Sequence, residues 1–131
     1  EGLVICAMDA RRNQVYNALF RCENGTLTRL TPDRAIGLAE LLEEVRDMEG
    51  AKLVIGDGAK LCAGYLTENG IPCRMAPTDR VMQNAVGVGL AAEQMLARGE
   101  TTSARDLVPV YLRLSQAERE RLAKGLKITV D

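Results

Sequence analysis

A charged cluster separates two apolar runs near the start of the chain. In AMDARRNQVY, residues 7–16, Asp9, Arg11 and Arg12 stand between LVICAM and VYNALF. A carboxylate beside two guanidinium groups is compatible with a catalytic loop, a phosphate-binding loop or a solvated turn. Phosphate loops use glycine where backbone N–H groups approach the anion, and residues 9–13 contain none. We therefore expect a charged hairpin in which Asp9 accepts backbone N–H groups and Arg11 reaches an acidic partner or a phosphate.

The sequence gives little support to catalysis by a nucleophile or by a histidine. The sequence contains no histidine, so these residues cannot form a His-based metal site, a Ser-His-Asp triad or a Cys-His pair. A peptidase would have to use scattered Cys, Ser or Thr side chains without a histidine to activate them. Four cysteines stand far apart beside apolar stretches and are predicted to be buried, reduced thiols: Cys6, Cys22, Cys62 and Cys73.

Acidic residues offer a second chemistry, that of a metal-dependent nuclease. Asp9, Asp57 and either Glu43 or Glu44 fall near places where such nucleases hold two metal ions. The alternative is that the aspartates end strands and the glutamates lie on a solvated helix face. We favour this alternative, because acidic residues are common in both settings, and expect no metal site and no catalytic residue.

The stretch GDGAKLCAGYL, residues 56–66, resembles the strand-turn-helix at which some ATPases hold adenosine. Gly56, Asp57 and Gly58 are therefore a candidate degenerate nucleotide turn. The same pattern is typical of a tight turn between a strand and a helix, which we favour. We expect no cofactor for this chain, and ATP only in an intact protein or complex.

Composition predicts one compact globular domain. The chain has 131 residues, of which 47% are hydrophobic and 27% charged, and its net charge is -1. No apolar run is long enough to cross a bilayer, so we expect a cytoplasmic protein without a membrane partner. An RNA-binding module remains an alternative if arginines cluster in space, and the candidates are Arg11, Arg12, Arg74, Arg80 and the Arg-rich tail.

The elements needed to position these residues alternate in a recognisable order. Two strands are joined by an Asn24-Gly25 turn, and a helix begins at Thr31-Pro32 and extends to Gly50. The expected strands are 3–8, 14–22, 26–31, 51–56 and 71–75, and the first of them is expected to be buried on both faces. The further expected helices are 59–69, 80–98 and a tail helix. Thr78 or Asp79 is the expected cap of the second of these, and Ser115 with Glu118 forms a capping box for the tail helix.

The order β-β-β-α-β-α-β-α indicates an α/β domain with an antiparallel meander and a mixed sheet. It predicts a ribonuclease-H-like lobe of the actin-like ATPase superfamily over residues 1–105. An extended segment, 106–114, and the tail helix make up residues 106–131.

Two stretches resemble one protein family. MDARRNQVY, residues 8–16, is similar to the M-D-A-R-x-x-x-V-Y signature of the TsaB (YeaZ) family, and PVYLRLSQAERER, residues 109–121, to its P-x-Y-L-R segment. These proteins are glycoprotease-like relatives of TsaD in tRNA threonylcarbamoyladenosine synthesis. The resemblance implies that the chain is the second, C-terminal lobe of a two-lobed protein.

The resemblance also implies a function. The chain would be a non-catalytic scaffold for TsaD, which modifies the adenosine beside the anticodon, with TsaE-like proteins as further partners and tRNA as an indirect one. Candidate interaction residues are Asp9, Arg11, Arg12, Tyr111 and Arg113. The small-residue helix 80–98 and LVPVYL are expected to pack against the other lobe, and in its absence to favour homo-oligomers.

Overall fold

The computed structural model describes residues 1–114 and 116–125. It contains six strands, β1 (Gly2–Asp9), β2 (Gln14–Glu23), β3 (Thr26–Arg29), β4 (Arg34–Gly37), β5 (Lys52–Ile55) and β6 (Arg74–Met75), and four helices, α1 (Leu38–Arg46), α2 (Ala59–Glu68), α3 (Ala85–Ala97) and α4 (Gln116–Ala123). This is the mixed α/β architecture expected from the sequence. The boundary at residue 105 stays a prediction.

The strands form one mixed sheet with β1 near its centre. The order is β3-β2-β1-β5-β6; β1 pairs antiparallel with β2 and parallel with β5. The turn between β2 and β3 has positive φ at Asn24 and Gly25, 49° and 76°, which confirms the predicted meander. No helix among the described residues is both long and apolar enough to cross a membrane.

The strand β4 was missed by the sequence analysis, and the helix predicted from Thr31 begins only at Leu38. Both β3 and β4 pair with β2, like one strand broken at residues 30–33. Across this break, the Thr31 hydroxyl accepts the Leu19 N–H at 2.9 Å. The predicted cap residue therefore completes the sheet edge, and Gly37 precedes the helix without a side-chain cap.

The core lies between one face of the sheet and the helices α1 and α2. Leu3, Ile5 and Ala7 alternate along β1 and share this core with Leu41 of α1 and Leu66 of α2. The opposite face of β1 is only partly covered, since Val4 and Cys6 are half-buried and Met8 is 45% exposed. The prediction that LVICAM is buried on both faces is wrong, because α1 and α2 both pack against the Leu3 face.

The helix α3 begins later than predicted, and its packing against the other lobe stays a prediction. It begins at Ala85, and Asn84 Oδ1 accepts the Gly87 N–H at 3.0 Å, so neither Thr78 nor Asp79 caps it. The residues before it are held elsewhere, because the Val81 carbonyl accepts the Gly56 N–H. None of its residues is buried, although 11 of its 13 residues, AVGVGLAAEQMLA, are apolar or glycine.

The segment 106–114 pairs with no strand among the described residues, and the tail helix is present as α4. Of the predicted capping box, Ser115 lies outside the described residues.

The turn after β5 provides a test of the packing. Gly56 has a φ of 106°, and an added Cβ would overlap the Ala7 carbonyl, whereas a Cβ at Gly64 in α2 meets nothing within 4 Å. We expect Gly56→Ala to lower the free energy of unfolding by about 2–4 kcal/mol, because backbone strain and overlap add. Gly64→Ala, the matched control, should leave it unchanged or raise it by up to about 1 kcal/mol. Urea unfolding of both variants measures this, and equal stabilities would contradict the packing described.

Candidate functional site

A cavity of about 870 Å³ lies between the loop that joins β1 to β2 and the segment that leads into α4. Its lining residues come from both ends of the chain and include Arg11, Arg12, Tyr16, Tyr111, Arg113, Leu114, Glu118 and Arg119. The structure thus brings together four of the predicted interaction residues, Arg11, Arg12, Tyr111 and Arg113. The fifth, Asp9, lies beside the cavity and contacts Arg11.

The β1–β2 loop, residues 10–13, places two arginines on its surface in an uncommon backbone conformation. Arg11, Arg12 and Asn13 have φ values of 64°, 56° and 56°. Asp9 Oδ1 accepts the Arg11 N–H at 2.7 Å, which is the turn-stabilising role expected for this aspartate. The Ala10 N–H donates to the Gln14 carbonyl at 3.0 Å, so the loop is closed by backbone bonds.

Arg113 fastens the C-terminal segment to this loop. Its Nη1 donates to the Ala10 carbonyl at 2.8 Å and to Gln14 Oε1 at 2.9 Å. Both acceptors are uncharged, so these bonds position the guanidinium without neutralising its charge. Gln14 was not predicted as a site residue, because no local pattern connects residues that are 99 positions apart.

The cavity is strongly cationic. Four guanidinium groups and one carboxylate, that of Glu118, line it among the described residues. Arg11 is 3.5 Å from Asp9 Oδ2 with its own side chain 85% exposed, and such a pair is weak in water. The Nε of Arg119 is buried and has no hydrogen-bond partner among the described residues. No sequence pattern pointed to Tyr16 as a site residue, Arg119 was considered only as part of the Arg-rich tail, and Glu118 was predicted only as part of a capping box.

The candidate nucleotide turn at Gly56–Gly58 uses its backbone donors within the protein. The Gly56 N–H donates to the Val81 carbonyl, the Gly58 N–H to the Ala7 carbonyl, and the Asp57 N–H to Gln83 Oε1. Asp57 Oδ1 accepts the Asp9 N–H at 3.0 Å. Gly58 lies so close to the Asp9 backbone that a Cβ at this position would overlap it, which accounts for the glycine. These hydrogen bonds hold the turn after β5 against the end of β1, so the turn has a structural role.

The acidic residues considered for a nuclease do not converge. Asp9 and Asp57 are neighbours, but Glu44 forms an ion pair with Arg34, and Glu43 pairs with Arg46 at 2.9 Å. The described part of the chain holds no group of three His, Cys, Asp or Glu side chains able to bind a metal ion.

The cysteines are free thiols, and only Cys62 is fully buried; Cys6, Cys22 and Cys73 are half-buried, which corrects the prediction for these three. Burial raises the pKa of the Cys62 thiol to about 12, and burial also raises the pKa of Cys6. A raised pKa keeps the thiol protonated near neutral pH, where it is a poor nucleophile. These two thiols therefore lack the activation that a cysteine peptidase requires.

Comparisons with known proteins reveal one relative in sequence and several in structure. The chain is 30% identical over 127 residues to the tRNA threonylcarbamoyladenosine biosynthesis protein TsaB of Bacillus subtilis (strain 168), covering 90% of this chain and 50% of that protein. No family model matches the chain.

Two solved structures share the fold. One, described as an uncharacterized protein with similarity to peptidase YEAZ from Pseudomonas aeruginosa, has a TM-score of 0.61 at 21% identity and covers 86% of this chain and 50% of its own. The other, YeaZ from Pseudomonas aeruginosa, has a TM-score of 0.56 at 21% identity, with coverages of 84% and 50%. The chain therefore spans about half the length of the proteins it matches.

The pKa of Cys62 predicts a pH dependence of stability. Since the folded thiol has a pKa of about 12 and the reference value is 9.0, the folded state keeps a proton that the unfolded state loses between these values. The contribution of Cys62 is complete below pH 9 and declines as the pH rises towards 12. Cys62→Ala should lower stability at neutral pH through its cavity, yet flatten the decline above pH 9. Urea unfolding from pH 7 to 11 tests this, and parallel profiles for the two proteins would contradict it.

Proposed function

This chain belongs to the TsaB/YeaZ family, and from that premise we propose that it acts in tRNA threonylcarbamoyladenosine synthesis as a non-catalytic scaffold. The observation that carries the pathway is the 30% identity to TsaB over 127 residues. In this proposal the chain is the second lobe of a longer cytoplasmic protein, with the ribonuclease-H-like fold of the actin-like ATPase superfamily. That protein supports TsaD and TsaE, and through them contacts tRNA.

The surface of α3 supports the scaffold role. Val88 and Leu96 are 70% and 66% exposed, and the helix continues into a segment where Leu107, Val108 and Val110 are also exposed. A helix that is apolar on all sides is normally covered. Because the chain spans about half the length of its relatives, we propose that the other half of the full-length protein packs against α3.

The described residues also give little support to an enzyme. Among the described residues, the lining of the cationic cavity offers arginine and tyrosine side chains but no cysteine, serine or threonine. The buried Cys62 is protonated near neutral pH, and the acidic residues are separated into different ion pairs. Binding and positioning are the actions that these groups perform best.

The test uses cells that lack their own TsaB and express a full-length protein containing this chain. We expect it to restore threonylcarbamoyladenosine, and Val88→Lys combined with Leu96→Lys to reduce the restored level at least about tenfold, because two ammonium groups would enter an apolar contact. Mass spectrometry of nucleosides from digested tRNA measures the level.

The matched control is Leu27→Lys, which changes an exposed leucine of β3 and should leave the level unchanged. Since α3 contributes no residue to the core, the paired α3 substitutions should also leave the melting temperature of the 131-residue chain unchanged. Full restoration by the α3 variant, or by a protein from which this half has been deleted, would refute the scaffold role.

A further inference from the structure

We propose that the cavity between the β1–β2 loop and the C-terminal segment is a nucleotide site, in which arginines bind the phosphate and tyrosines stack on the base. The nucleotide is either free or part of single-stranded RNA. This inference rests on the cavity alone and does not depend on the proposed scaffold role.

The charge of the cavity favours an anionic group. Arg11 and Arg12 come from the loop, whereas Arg113 and Arg119 come from the C-terminal segment and α4, so guanidinium groups face the cavity from two sides. Arg113 is oriented by neutral acceptors, and the buried Nε of Arg119 has no hydrogen-bond partner among the described residues. A planar guanidinium group donates two parallel hydrogen bonds to two oxygens of one phosphate, which fixes both the position and the orientation of that phosphate.

The backbone conformation of the loop makes arginine energetically unfavourable at positions 11 and 12. Left-handed φ angles are unfavourable for residues with a Cβ, by about 1–2 kcal/mol each, and glycine adopts them readily. The loop nevertheless has arginine at both 11 and 12. Strain retained at a loop that lines a cavity is typical of a functional position.

A smaller apolar recess adjoins the cationic cavity and supplies the place for a base. It measures about 270 Å³ and shares Tyr16, Tyr111 and Arg113 with the larger cavity, and its other lining residues are apolar: Met8, Val110 and Leu112. Tyr111 is 86% exposed, so its ring is available for stacking. Aromatic rings stack on bases of any sequence, and arginines follow the phosphates beside them.

The combination distinguishes a nucleotide from simpler anions. A bare phosphate would use only the arginines, and a peptide of acidic residues alone, such as polyglutamate, has no ring to occupy the recess that Tyr16 and Tyr111 line. The larger cavity, about 870 Å³, also lies within the range of about 300–1,000 Å³ usual for small-molecule sites.

The experiment measures binding to the purified 131-residue chain by fluorescence anisotropy of a labelled single-stranded RNA of twelve nucleotides. We expect Arg11→Gly combined with Arg12→Gly to weaken binding at least about tenfold and to reduce the slope of log affinity against log salt by about two. The same variant should melt at the same temperature as the parent or higher, because glycine relieves the left-handed strain.

Two further variants separate specific from general effects. Tyr111→Leu should weaken binding as well, because it removes a stacking ring and leaves the charge unchanged. Arg46→Gln combined with Arg98→Gln, the matched control, removes two exposed charges outside the cavity and should change the affinity less than twofold at constant salt.

Competition identifies the source of the nucleotide. Displacement of the labelled RNA by ATP or AMP indicates a free nucleotide, and displacement by unlabelled RNA alone indicates a site for RNA. Both outcomes support the proposal. Absence of binding, equal losses in the cavity and control variants, or displacement by inorganic phosphate or polyglutamate as effective as that by AMP, would overturn it.

Discussion

The carboxyl end of β1 is the point on which the rest of the structure depends. Here Ala7 accepts the Gly58 N–H, and Asp9 donates to Asp57, so the turn after β5 is held against the central strand. In the loop that follows, the Asn13 carbonyl accepts the N–H of Leu38, the first residue of α1, at 3.0 Å. One short stretch therefore connects the sheet to both core helices through backbone groups, whose geometry permits little adjustment.

The same stretch joins the core to the candidate site. Arg113 donates to Ala10, directly after β1, and thereby places the C-terminal segment beside the loop arginines. One wall of the cavity is therefore the β1–β2 loop with Tyr16 of β2, and the C-terminal segment that Arg113 bonds to this loop forms the other. Gly56 and Gly58 serve packing, whereas Arg11 and Arg12 place charge on the loop at an energetic cost.

Local signals in the sequence predicted local structure well. The Asn24-Gly25 turn and the hydrogen bond that Asp9 accepts from the Arg11 N–H of its own loop are present, because both depend on neighbouring residues. The start of α1 was wrong because Thr31 serves the distant Leu19 instead of a helix end. The prediction that β1 is buried on both faces was wrong because α1 and α2 both pack against the face that carries Leu3.

The candidate site was predictable only in its parts. Arg11, Arg12, Tyr111 and Arg113 were singled out as separate interaction residues, yet their meeting at one cavity depends on a contact between the first and last parts of the chain. Gln14, which completes that contact, carries no signal of its own. The most direct test of the account is therefore a nuclear Overhauser experiment on the chain in solution. We expect cross-peaks between Arg113 and both Ala10 and Gln14. Their absence, with random-coil shifts for residues 109–114, would show that the C-terminal segment does not lie against the β1–β2 loop.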